Sequence, residues 1–332
     1  MAGLWGRRRR AAEQRSQEWG DAHEAHRVQA PPAGRVPDRS TGSADGVHLA
    51  GVRVEAEGPD GVVTLLQDVH LRLTARRVAV VGENGSGKST LARAVAGLAD
   101  VVDGTVTVHG VDAVGDVKAL RRTVGFVFAN PAAQSIMPTV REDVELTVKS
   151  LRDEAGQRMP KEQIAARVEA ALAEHRLTEL ADRPCLALSS GQAQRLAMCA
   201  VMSAEPSLVI ADEPTSLLDG RHRRIVADRL LAADGFQLLL VTHDLDLART
   251  CDDAVWVHDG AIRSHGPAAD VVAEYEEFLD KAVAEEFGGE FGEAVAAGAE
   301  FRGASDVGPA AGAGEASDVG PAAGASEAVP PR

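Results

Sequence analysis

Four short stretches of this chain carry residue types suited to phosphate chemistry. The first is Gly82-Glu83-Asn84-Gly85-Ser86-Gly87-Lys88-Ser89-Thr90. It fits G-x-x-x-x-G-K-[ST] and lies between a short apolar run, 77–81, and a segment of helical spacing, 88–98. In that setting glycines let successive backbone N–H groups turn inward around a phosphate, and the start of the helix adds partial positive charge. Lys88 is placed to reach outer phosphates, and Ser89 offers a hydroxyl oxygen to Mg2+. A glycine-rich turn capping a helix would account for the glycines but not for the Lys-Ser-Thr that follows them.

The other three stretches lie downstream. Asp212 and Glu213 close the apolar run 208–211. One carboxylate there can hold the shell of Mg2+, and its neighbour can orient or deprotonate an attacking water. Taken alone, such a pair also suits a solvated turn. His243 follows the apolar run 237–242. A neutral imidazole at that place can face a γ-phosphate and its water while hydrogen-bonding Glu213. Leu188-Ser189-Ser190-Gly191-Gln192 opens a further helical segment. Hydroxyls and a glycine amide at a helix start again suit a phosphate, although a plain helix cap would read the same way.

Periodicity supplies the elements that must hold these residues. The segments 48–56 and 62–73, joined by Gly58-Pro59-Asp60-Gly61, read as a hairpin. Strands are expected at 77–81, 106–110 and 124–128, and buried strands at 208–211 and 237–242. The last two are separated by a polar helix over 220–232, and helical spacing recurs at 139–151 and 161–176. Strands alternating with helices imply an α/β fold: a P-loop NTPase core with a parallel sheet. A small antiparallel β layer and an α-helical subdomain carrying Ser189–Gln192 complete the expectation.

Composition narrows the setting. The chain has 332 residues, 45% hydrophobic but only 3% aromatic, so its core must rest on Ala, Val and Leu. A net charge of −15 argues against nucleic acid as a partner, since phosphate neutralisation needs basic surface. Cys185, Cys199 and Cys251 show no metal-like spacing and read as small buried hydrophobes. No apolar run approaches the roughly 20 residues of a membrane helix. Arg7–Arg10 are not followed by the apolar stretch of a secretory signal. The expected organisation is a disordered extension over 1–46, one domain over 47–283, and an Ala/Gly-rich tail over 284–332. Within that tail ASDVGPAAGA occurs at 304–313 and again at 316–325.

In order and spacing the motifs resemble the nucleotide-binding subunits of ATP-binding cassette (ABC) transporters. The resemblance covers roughly 47–265 and includes a D-loop, Ser216-Leu217-Leu218-Asp219. It implies ATP and Mg2+ as cofactors and a head-to-tail pairing with a second ATPase subunit, identical or a paralogue. Each ATP would then lie between Gly82–Thr90 of one subunit and Ser189, Ser190, Gly191 and Gln192 of the other. It further implies Glu213 as the catalytic carboxylate assisted by His243, Ser89 and Asp212 as metal ligands, and Asp219 as the link between sites. Soluble relatives fit less well: translation factors carry two cassettes, and DNA-repair ATPases need a long coiled coil between Lys88 and Ser189.

Two positions depart from the family pattern. Ala129 stands where a Gln normally follows the strand. Either Asn130 or Gln134 replaces that Gln, or Mg2+ and the attacking water go without it. The segment 52–57 has no aromatic to stack on adenine. The stretch VGFVFANPAAQSIMPTVREDVEL, 124–146, is similar to energy-coupling factor importers, of the actinobacterial biotin type or the cobalt/nickel type. That similarity implies a transmembrane coupling subunit, a small substrate-binding membrane subunit, and a peripheral location on the cytoplasmic face of the membrane. In it Glu142 and Asp143 would offer negative charge to the membrane partner.

Overall fold

The computed structural model describes residues 46–59, 61–152 and 156–287. Apart from Gly46 and residues 284–287, the two expected terminal segments lie outside the described residues. The chain divides into two compact units after Glu276, and the first holds both sheets and the helical layer.

Two sheets carry the fold. The antiparallel sheet has the order β2-β1-β4-β5, from strands β1 (Val47–Gly58), β2 (Gly61–Leu73), β4 (Val101–Val108) and β5 (Val111–Asp112). The hairpin expected from the sequence is therefore present, with Gly58 paired to Gly61 at its tip. The second sheet has the order β10-β9-β3-β8-β7-β6. Its parallel members are β3 (Arg77–Val81), β6 (Val124–Val127), β7 (Leu208–Asp212), β8 (Gln237–Val241) and β9 (Asp253–His258); β10 (Ala261–Pro267) is antiparallel to β9. Both β7 and β8 are buried along their whole length, as near-continuous Leu/Val/Ile runs require in a sheet covered on both faces.

Helix α1 (Lys88–Val95) packs Leu91, Ala92, Ala94 and Val95 into the main core, together with inward residues of both sheets. It stops short of the expected residue 98. Gly97 takes a left-handed φ of 65°, its N–H donates to Ala94 O (3.1 Å), and the Leu98 N–H donates to Arg93 O (2.8 Å). Those two bonds satisfy the last carbonyls of the helix and end it. A short helix, α2 (Val117–Thr123), leads into β6.

A second core lies in the helical layer of α3 (Val140–Ser150), α4 (Lys161–Glu174) and α5 (Ser190–Ser203). Val140, Val144, Val148, Val168, Leu172, Leu196 and Cys199 meet there. Helices α6 (Gly220–Ala232), α7 (Leu245–Arg249) and α8 (Ala268–Phe287) complete the described α-helices, and the expected boundary at 283 falls inside α8. The Gln237 amide joins the layers, donating to Leu73 O (3.1 Å) at the end of β2 and to Ala75 O (2.8 Å). Cys199 and Cys251 are buried thiols, each pushed up to about 12 by that burial. They behave as the expected small hydrophobes. No described helix is long and apolar enough to cross a membrane.

Candidate functional site

Strand register assembles the site. Val80 of β3 pairs with Val241 of β8, and Asp212 of β7 pairs with the same Val241. The three strands thus end level. The residues just beyond their ends, Gly82, Glu213 and His243, are delivered to one edge of the sheet.

At that edge the loop 82–87 wraps from β3 into α1. Its tip, Glu83-Asn84-Gly85, is exposed, whereas Gly82, Ser86 and Lys88 are buried. Gly82 has φ 145°, and a Cβ there would lie 2.2 Å from Val257 O, so no other residue fits. Gly87 caps α1 at φ 106° without a side-chain bond, leaving the first N–H groups of the helix open. Lys88 Nζ reaches back over the loop, donating to Gly82 O (2.8 Å) and Glu83 O (2.6 Å). Burial depresses its pKa, and Glu213, Asp212 and Glu83 oppose that shift. A partly desolvated ammonium beside a loop of inward N–H groups suits an anion. Among the described residues the buried Ser86 hydroxyl has no hydrogen-bond partner. Thr90 continues the first turn of α1.

The acidic side faces this loop. Ser89 Oγ donates to Asp212 Oδ1 (3.0 Å), so one hydroxyl and one carboxylate oxygen converge where β7 ends. Glu213 stands in the left-handed region at φ 52°, an uncommon place for a residue with a side chain. Its N–H is held by Val241 O (2.9 Å). His243 Nδ1 donates to Glu213 Oε2 at 2.7 Å. Desolvation raises the Glu213 pKa above the usual glutamate range, against the pull of His243 and Lys88. A half-buried, oriented carboxylate of raised basicity suits a group that takes a proton from water.

Ser189, Ser190, Gly191 and Gln192 stand on a different element, the start of α5. Ser189 and Gln192 form a reciprocal capping box: the Ser189 N–H donates to Gln192 Oε1 (2.9 Å) and the Gln192 N–H donates to Ser189 Oγ (3.3 Å). Asp219 caps α6, where its Oδ1 accepts the His222 N–H (2.9 Å) and its Oδ2 accepts His222 Nδ1–H (2.8 Å). The backbone bond from His222 holds the Asp219 pKa low. Sequence reasoning passed over His222, because its significance depends on what lies across from it.

Ala129 presents no polar side chain beyond β6, and both candidate replacements are engaged locally. Gln134 Oε1 accepts from the Phe128 N–H (3.2 Å) and its Nε2 donates to Phe126 O (3.1 Å). Asn130 caps the short turn Pro131–Ala133 by accepting the Ala132 N–H (3.1 Å). Glu142 and Asp143 are also engaged locally. Glu142 closes a capping box with Thr139, and Asp143, 6% exposed, accepts the N–H groups of Ile136 (2.9 Å) and Met137 (3.1 Å). Asp143 therefore shapes a loop where charge toward a partner was expected.

Comparison with known proteins gives the family. A family model described as ABC transporter matches residues 66–216. The biotin transport ATP-binding protein BioM of Rhizobium etli is 36% identical over 217 residues, 65% of this chain and 93% of that protein. The energy-coupling factor transporter ATP-binding protein EcfA1 of Lactiplantibacillus plantarum is 37% identical over 198 residues, 58% of this chain and 68% of that protein. Among solved structures, the dimeric post-hydrolysis state of the ATP-binding cassette MJ0796 with ADP and Pi superposes with a TM-score of 0.60 at 26% identity, covering 67% of this chain and 98% of the other. The structure of cbiO1 from Clostridium perfringens, part of the ABC transporter complex cbiONQ, gives 0.59 at 26% identity, covering 72% and 94%. From its site and its relatives alike, this chain belongs to the ABC transporter family, as an ATP-binding component that hydrolyses ATP.

Proposed function

We propose that the chain energises an importer of the energy-coupling factor type, with a vitamin of the biotin class as cargo. The observation that carries the reading is the level ending of β3, β7 and β8, which sets Lys88, the Ser89–Asp212 pair and the Glu213–His243 pair around one edge. Relatives named for biotin transport and for energy-coupling factor transport support the subfamily and cargo.

In this reading Lys88 leaves the carbonyls of Gly82 and Glu83 and binds the outer phosphates, aided by the uncapped N–H groups at the start of α1. Glu213 accepts a proton from the attacking water, and His243 holds Glu213 in place. The Ser89–Asp212 pair fits Mg2+: both atoms are oxygens, and that ion takes few protein ligands and completes its shell with water and phosphate. When bound, Mg2+ neutralises charge on the phosphates. Ser189–Gln192 and Asp219 act on the ATP of a second, head-to-tail subunit. Asn130 and Gln134 keep the turn after β6 in shape, so turnover proceeds without the missing Gln. A transmembrane coupling subunit and a small substrate-binding membrane subunit complete the assembly at the cytoplasmic face of the membrane.

The test is co-purification of the full chain with its membrane partners, followed by uptake of labelled biotin and labelled cobalt by cells with and without Glu213→Gln. Biotin uptake that depends on Glu213 supports the reading. Glu213-dependent cobalt uptake moves the cargo to a metal ion, and export of either label overturns the importer assignment.

A further inference from the structure

We propose that His222 is a positioning residue for ATP hydrolysis, fastening the D-loop to the turn Ser189–Gln192, the signature turn, of its own subunit so that both move as one body. The inference rests on the head-to-tail reading above for its consequence, but the joint itself lies within one chain.

Asp219 grips His222 twice, through the backbone N–H at 2.9 Å and through Nδ1 at 2.8 Å. Two bonds to one carboxylate fix the plane of the imidazole. The ring lies directly on Gly191: a Cβ built on that glycine would be 2.8 Å from His222 Cδ2, 3.0 Å from Cγ and 3.2 Å from Nε2. A side chain at 191 would therefore press on this ring and displace it or the turn. One side chain spans two motifs that lie far apart in sequence.

The rest of α6 agrees. His222, Val226 and Arg229 recur at i, i+4 and i+7 and so share one helix face. Val226 is buried. Arg229 Nη2 donates to Glu174 O (2.9 Å) at the end of α4, and its Nη1 lies 3.3 Å from His175 Nδ1. The helix that follows the D-loop is thus held to the helical layer at both ends, through His222 at the signature turn and through Arg229 at α4. In a head-to-tail pair Ser189–Gly191 and Asp219 both approach the partner's nucleotide. A joint between them makes closing of the signature on ATP and placement of the D-loop a single event.

The experiment compares full-length His222→Ala and His222→Asn with the parent chain. The Asn side-chain amide can take the place of Nδ1–H toward Asp219. Hydrogen–deuterium exchange without nucleotide reads the joint directly. His222→Ala should quicken exchange at both 189–193 and 216–222, and His222→Asn should restore at least the second segment. In steady-state hydrolysis, His222→Ala should lower kcat by about tenfold while ATP binding to the separate subunit stays within about twofold, with partial recovery in His222→Asn. Faster exchange confined to 216–222, with 189–193 unchanged, overturns the joint. Coupled exchange with unchanged kcat overturns its role in hydrolysis. Absence of ATP-driven dimers in a Glu213→Gln chain that retains His222 overturns the head-to-tail reading instead, and the exchange result still decides the joint.

Discussion

Glu213, the carboxylate proposed to take the proton, stands under unfavourable conditions: it is partly desolvated, backed by a left-handed backbone, and tied to one imidazole. Because its pKa is raised, the acidic limb of the pH–rate profile should lie above the ordinary glutamate range. Removing the ring in His243→Ala takes away the largest opposing influence, so that limb should move to still higher pH, which hydrolysis rates across an acidic pH series will measure. Glu213→Gln should reduce kcat by about 10²–10⁴-fold while ATP still binds, as judged by titration with a fluorescent analogue. The candidates were legible in the sequence, because Asp212, Glu213 and His243 come at the ends of apolar runs of strand length and Lys88 closes the glycine loop that follows another. Their partners were not. Nothing local to Gln134 announces that its amide is spent on the backbone around Phe126 and Phe128, and nothing local to His222 points to Gly191.

Caps and buried polar groups set how well the helical layer holds its shape. The Thr139–Glu142 and Ser189–Gln192 boxes were legible as residue types, since Ser or Thr followed three residues later by Glu or Gln marks a helix start. Asp143 was misread as surface charge because helix spacing does not say that the preceding loop folds back over it. Asp143→Ala should strand the amides of Ile136 and Met137 and cost about 2 kcal/mol, measured by urea unfolding. His175 is buried beside Arg229 and Arg195, and its pKa falls to about 4, with burial the main cause. In the unfolded chain it takes up a proton near pH 6.5, so its contribution is present above that pH and is lost as the pH falls toward 4. Between pH 6.5 and pH 5 this group should remove about 1.5 kcal/mol of stability, and His175→Gln should flatten that part of the curve.

Across the whole molecule, the sequence implied two sheets and a helical layer, and those are present because apolar period and turn residues agree along each segment. Register was beyond its reach: pairing Val80 and Asp212 to one residue of β8 is a property of the assembled sheet. The described elements end at Phe287, and every residue of the proposed site lies before 244. Truncation after residue 287 should therefore leave ATP hydrolysis within about twofold of the full chain. A large loss would show that the tail takes part.

The level ends of β3, β7 and β8 also act as a ruler. The distance from the loop 82–87 to acid to imidazole is marked off on strands buried along their length, and the loops beyond them inherit that measurement. Deleting one residue within Gln237–Val241 would draw His243 back by about 3.3 Å and turn it to the opposite side of the sheet. Loop substitutions leave the scale untouched, which is how a chain can carry Ala129 and still keep its acid, its imidazole and its lysine in range of one another.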